Sequence, residues 1–195
     1  MCLIKRLYLL SILALVLCLC SMPATADILF SDLGPAGNVY GTSSAWAVSG
    51  SGYIGTSFTA ANLFTVADSG SLSVTEIDLA VSSMGPPDTF YATIWTDNAG
   101  LPGAQVAGAY WNPLYATTTS GCCGLVSITG ITGVTLTGGD QYFMILGPLA
   151  IGDDSWNGWY SNNQGVDGLD LYSENGGSTC VSTGIKRPHF HRFCC

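Results

Sequence analysis

Between Arg6 and Lys186 the chain has no lysine, no arginine and no histidine, although all thirteen of its Asp and Glu residues fall inside that interval. Several chemistries are excluded at once. There is no histidine to act as general base for a Ser or Cys nucleophile, and no lysine to serve as a nucleophile itself. No arginine can clamp a phosphoryl group. Lys–Asn cross-links and internal salt bridges to the carboxylates are equally impossible. Also missing are a phosphate-cradling glycine motif between a strand and a helix, an internal repeat of fixed period and sustained helical periodicity. Charged residues make up only 9% of the chain, so solubility rests on Ser, Thr, Asn and Gly. Aromatic and β-branched residues are plentiful, which separates the chain from disordered sequences.

What is present begins with an export signature. Lys5 and Arg6 precede the apolar run Leu7 to Leu19, and Ala24-Thr25-Ala26 is a small-x-small cleavage site before Asp27. The run is shorter than the roughly 20 residues a membrane span needs. Residues 1–26 therefore read as a cleaved signal peptide, with secretion or surface display to follow. A lipoprotein signal using Cys18 or Cys20 and a retained N-terminal anchor are the alternatives. Removal of Lys5 and Arg6 takes the formal charge from −8 to −10. Such a surface repels nucleic acid and anionic lipid, so neither is expected as a partner.

Residues 27–184 have the size of one domain. Twenty-five glycines and eight prolines punctuate the chain at turn-like intervals. Between them lie short alternating segments: Ile28 to Phe30, Ser44 to Ser49, Tyr53 to Ala60, Gln105 to Trp111, Leu125 to Ile128, Val134 to Leu136, Trp156 to Ser161 and Leu169 to Ser173. Thr89 to Thr96 puts Phe90, Ala92 and Ile94 on one face and Tyr91, Thr93 and Trp95 on the other. Tyr142 to Leu146 is apolar on both faces, the pattern of a central strand covered on two sides. From Leu72 to Val81 the inward phase slips at Thr75-Glu76, which predicts a bulge. These strands without helices predict an all-β antiparallel two-sheet sandwich, jelly-roll-like.

Five cysteines follow residue 26, namely Cys122, Cys123, Cys180, Cys194 and Cys195. Export permits disulfides, and Cys180 with Cys122 or Cys123 is the favoured pairing. The segment 185–195 holds every basic residue after Arg6, both histidines and two of those cysteines. The abrupt change marks it as an atypical, disordered tail outside the folding unit. A shifted reading frame, a plain basic tail, or a metal site at His189 and His191 would each account for it.

The chemistry left to the body is sparse. A glycosidase needs two opposed carboxylates, but Asp153 and Asp154, adjacent in sequence, project to opposite sides of an extended backbone. Turn-forming aspartates account for them more simply. Asp153, Asp154, Asp167 and Asp170 are also calcium candidates, because calcium takes loop oxygens; no other cofactor is implied. The run Trp156 to Asn163 interleaves rings with amides, which suits sugar recognition. Trp156, Trp159, Tyr160 and Asn162 are its candidate ligand-binding residues, and extracellular polysaccharide the partner.

Four segments in this order carry a resemblance: Ile28 to Pro35 after the signal, Thr96-Asp97-Asn98-Ala99-Gly100-Leu101-Pro102-Gly103, the Cys122-Cys123 pair, and Gly139 to Phe143. Over residues 27–183 the chain resembles exported bacterial PEP-CTERM proteins with choice-of-anchor-type β-domains. The resemblance implies export and attachment to surface or matrix, and carries no catalytic residues. The chain lacks the Pro-Glu-Pro sorting signal with its apolar helix and arginine cluster. The expectation is an exported, non-enzymatic domain of the cell surface or extracellular matrix, with a carbohydrate-binding module as the alternative.

Overall fold

Alternating apolar segments closed by turns satisfy their backbone groups by pairing strand with strand. The computed structural model of the chain, which describes residues 27–67, 69–117, 124–166, 168–179, 181–182 and 191–194, has this form almost throughout. The first strands are β1 (Ile28–Ser31), β2 (Ala45–Ser49), β3 (Thr59–Thr65), β4 (Ser71–Ser73), β5 (Glu76–Leu79), β6 (Val81–Gly85), β7 (Thr89–Asn98) and β8 (Leu101–Tyr115). They are followed by β9 (Val126–Thr129), β10 (Thr135–Thr137), β11 (Gln141–Gly147), β12 (Trp156–Tyr160), β13 (Asp170–Ser173), β14 (Val181–Ser182) and β15 (His191–Cys194). The strand pairs are antiparallel.

One layer is a six-stranded sheet in the order β14-β13-β3-β11-β7-β8. The other is assembled from three ladders, β1-β15-β5-β9, β2-β12-β6 and β10-β4. β5 and β6 form one path broken only at Ala80, whose carbonyl still accepts the Tyr160 N–H. The inward residues of both layers make a single core. Phe64, Phe90, Ile94, Met144 and Leu146 come from the six-stranded side, and Leu29, Val48, Ile77, Leu79, Val81 and Trp159 from the other. Burying such side chains from two sheets is what holds a sandwich together, at about 1.5–3 kcal/mol for each large one.

The central-strand reading of Tyr142 to Leu146 is realised. β11 lies between β3 and β7, and every residue from Tyr142 to Gly147 is buried. The bulge expected at Thr75-Glu76 is instead a break between β4 and β5, which belong to different ladders. From Ser73–Thr135 to Glu76–Thr129, one strand advances three residues and its partner six.

Two expectations are corrected. From sequence, Tyr53 to Ala60 reads as a strand, but Ser51–Ile54 is a single helical turn, α1. Gly55 ends it at φ 79°, donating its N–H to the Ser51 carbonyl; bridges at Ser57 and Phe58 then lead into β3, which begins at Thr59. A glycine in the left-handed region is the ordinary helix stop. The tail is not wholly outside the fold either, because His191–Cys194 forms β15 between β1 and β5. Two facing strand edges with unpaired backbone groups accept any extended segment, whatever its side chains. Residues 183–190, with His189, lie outside the described residues. Among the described residues no helix is long and apolar enough to cross a membrane, which says nothing about strands.

Candidate functional site

Side chains of β7 alternate between the core and the opposite, outer face of the six-stranded sheet. That outer face carries its own apolar cluster, in which Ala61, Phe143, Ile145 and Leu171 are buried and Tyr91 and Trp95 pack against them. Neither layer of the sandwich core covers this cluster. Part of the cover comes from β8. Between Thr93–Tyr110 and Trp95–Gln105, β7 advances two residues while β8 advances five. The surplus turns inward: Ala109 is buried, Gly108 adopts φ 76°, and the Thr93 hydroxyl donates to the Ala109 carbonyl at 2.6 Å. Bulges of this kind bend a strand and re-aim its side chains.

The result is a groove of about 590 Å³ on the outer face, within the usual range of about 300–1,000 Å³ for small-molecule sites. Ile145 and Leu171 form its floor, with Tyr91, Trp95 and Tyr110 as its rings. Leu101, Pro102 and Gln105 of β8 make one rim, and Ser173, Gly176 and Gly177 the other. That second rim is a tight turn fixed by Ser173. Its hydroxyl donates to Asn175 Oδ1 at 2.8 Å and accepts the Gly177 N–H at 2.8 Å. Gly176 and Gly177 take φ 67° and 88°, which only glycine adopts freely.

The rings are placed by specific contacts. Tyr91 and Tyr110 lie 5.5 Å apart, tilted at 38°, inside the range of favourable aromatic pairs. Gly147 stands opposite Tyr91 in the ladder, and a methyl group there would meet the phenol ring at 2.6 Å. Glycine at 147 is thus what lets Tyr91 lie down across β11. Burial raises the Tyr91 phenol above its ordinary value; the Thr59 hydroxyl opposes this and Tyr110 adds to it. The phenol therefore remains a neutral donor at physiological pH. Tyr110 is 45% exposed and Leu101 51%, so the β8 side is open to solvent. Among the described residues, none that lines the groove carries a charge.

The candidate ligand-binding residues of the Trp156 to Asn163 run are not at this groove, and they do not form a surface of their own. Trp159 is fully buried in the sandwich core. Tyr160 is buried under Tyr40, stacked at 5.2 Å and 16°, and its oxygen accepts the Ser82 hydroxyl at 3.0 Å. Trp156 is half-buried against Tyr53 at 4.9 Å. Asn162 spends its amide on its own loop, donating to the Val166 carbonyl and accepting the Gln164 and Val166 N–H groups. The reason is strand geometry: period two sends Asn157 and Trp159 inward, and the rings on the other face are already covered.

The acidic candidates are likewise dispersed. Asp153 folds its own turn, accepting the Ala150 N–H at 3.1 Å, the Ser155 N–H at 3.0 Å and the Ser155 hydroxyl at 2.5 Å. Asp154 is exposed beside it. Asp170 is buried at the start of β13, where its Oδ1 accepts the Asn62 amide at 2.5 Å. Asp167 lies outside the described residues, as do the disulfide candidates Cys122, Cys123 and Cys180. Among the described residues no group of three or more His, Cys, Asp or Glu side chains is gathered as a metal would require.

The groove residues were within reach of the sequence. Alternation assigns Tyr91, Thr93 and Trp95 to a face of their own, and the two apolar faces of Tyr142 to Leu146 require a second covered surface. Tyr110 and Gln105 had no such signal, because the irregular pairing of β8 breaks its phase. Comparison of the chain with protein-family models and with curated proteins finds no match.

Proposed function

We propose that the protein is an exported, non-enzymatic domain of the cell surface or extracellular matrix that works by binding, and that its ligand is a carbohydrate held in the outer-face groove. The observation that carries this reading is an uncharged, aromatic-lined groove on the solvent side of a β-sheet. Aromatic rings stack on the apolar faces of sugar rings, while phenol, hydroxyl and amide groups at the margin take the sugar hydroxyls. Tyr91, Trp95 and Tyr110 supply the rings here, and Gln105 an exposed amide.

A binding role is supported further by what the groove does not contain. Among the described residues its lining has no carboxylate pair, no nucleophile with a histidine or carboxylate base and no cation. The apolar stretch before Asp27 supports export, and an extracellular polysaccharide is the partner that this location offers.

Binding of neutral oligosaccharides to the full chain, followed by tryptophan fluorescence and calorimetry, tests the reading. Tyr110→Ala should abolish or weaken binding at least tenfold while leaving the fold intact, because the ring is half exposed. Undiminished binding by that variant would place the sugar site elsewhere.

A further inference from the structure

The groove discriminates among glycans by charge, and this inference rests on the carbohydrate reading above. We infer that it accepts only uncharged sugar chains and rejects those bearing uronate or sulfate groups. Two independent features point this way. The first is local: among the described residues none of the lining side chains is cationic, so an anionic substituent brought onto Ile145, Leu171 and the three rings would lose its hydration without gaining a partner among them. The second is global. The chain carries a formal charge of −8, and after Arg6 only Lys186, Arg187 and Arg192 stand against its thirteen carboxylates. A polyanion therefore meets repulsion on approach and finds no compensating cation among the described groove residues on arrival.

Uncharged hydroxyls meet the opposite situation. The Gln105 amide, exposed on the β8 rim, presents a donor and an acceptor together, which matches two neighbouring hydroxyls of a pyranose. Tyr91 stays protonated and so offers a donor without a charge. Several other polar groups on the lining are already committed, Thr93 to the Ala109 carbonyl and Ser173 to its turn. Gln105 is thus the side chain positioned to read the ligand, and the one at which charge selection can be changed.

The experiment titrates the full chain with hexasaccharides of glucan, xylan and mannan and with hexagalacturonate, at low ionic strength and at about 0.5 M salt. At high salt the screening length falls to a few ångströms, so any rejection that survives is local to the groove. The expected result is binding of at least one neutral hexasaccharide and at least tenfold weaker binding of hexagalacturonate under both conditions. Gln105→Arg, which places a guanidinium on the exposed rim, should raise hexagalacturonate affinity at least tenfold over the unsubstituted protein. Equal or tighter binding of hexagalacturonate by the unsubstituted protein would overturn the charge rule and leave the carbohydrate reading standing. A Gln105→Arg variant with no gain would overturn the claim that the missing cation sets the rule. Binding of no hexasaccharide, neutral or acidic, would overturn the inference together with the reading beneath it.

Discussion

Two aromatic strand segments of this protein have nearly the same side-chain chemistry and opposite fates. In β12, Trp156, Trp159 and Tyr160 sit in a strand flanked on both sides; Trp159 is buried in the sandwich core and Tyr160 under Tyr40, while Trp156 is half-buried against Tyr53. In β7, Tyr91 and Trp95 point away from the core and are covered only in part, by a neighbouring strand that leaves Tyr110 and Leu101 in solvent. Aromatic content does not distinguish the two segments. What does is whether a loop or a regular strand closes over the outer face. The loop ending at Tyr40 closes over β12, whereas the irregular β8 stops short of closing over β7.

The comparison breaks or holds most visibly under truncation. Trp159→Ala removes a fully buried indole from the core, and such truncations cost about 3–5 kcal/mol. Urea denaturation should show that loss, with sugar binding disturbed only as far as the fold is. Tyr110→Ala should cost about 1 kcal/mol or less, as surface substitutions do, while binding collapses. If the two variants exchanged these outcomes, the assignment of core and groove would be inverted.

Alkaline titration sharpens the comparison at the level of single phenols, because each region contains one whose pKa is raised. Tyr40 is raised by burial first and by the neighbouring Tyr160 second, with the Gly124 backbone opposing. Tyr91 is raised mainly by burial. In both cases the folded state holds the proton more tightly than the unfolded chain, so this contribution to stability is fully present below the ordinary tyrosine value of about 10. It is lost as pH rises through the higher folded-state values, because the unfolded chain ionises first. Thermal melts should therefore fall above pH 10. Tyr40→Phe and Tyr91→Phe should each flatten that fall, and only Tyr91→Phe should also alter ligand binding. An alkaline limb unchanged by both substitutions would refute the role of these two phenols.

How much of this was legible beforehand follows from where period two survives. Tyr142 to Leu146 and Thr89 to Thr96 are regular, and their positions and faces were readable from residue type alone. The groove depends on long-range pairing, because the excursion at Val106–Ala109 turns into the sandwich core and leaves Leu101, Pro102, Gln105 and Tyr110 of β8 on the groove side, an arrangement that no local signal marks. Asn162 and Asp153 looked like ligand residues because Asn and Asp serve turns and ligands equally well. Only their hydrogen bonds to Val166, Ala150 and Ser155 decide between the two. Alternation ends the β3 segment at Ala60 because Ala61 and Asn62 carry little strand propensity, and pairing with β11 and β13 overrides it.

The β7–β8 turn gives the finest test, since it carries the hairpin on which one rim of the groove depends. Asp97, Gly100, Pro102 and Gly103 predict a hairpin connection, and the structure provides one. β7 ends at Asn98, β8 begins at Leu101, and the two residues between adopt φ 56° and 84°. Positive φ at both central positions belongs to the type I′ turn, whose twist matches that of the strands it joins. Asp97 Oδ1 accepts the Gly100 N–H at 2.9 Å and steadies it. Gly100 adopts its angle freely, but Ala99 is the one non-glycine residue with positive φ among the described residues, and a Cβ there is unfavourable. Asparagine tolerates this region better, so Ala99→Asn should stabilise the protein by about 0.5–1 kcal/mol. Because Leu101 and Pro102 follow directly in the groove rim, the same variant should bind ligand at least as well as the parent. A loss of stability in denaturant titration would mean that the turn does not hold Ala99 in the left-handed region, and that the rim is set by the Thr93–Ala109 hydrogen bond alone.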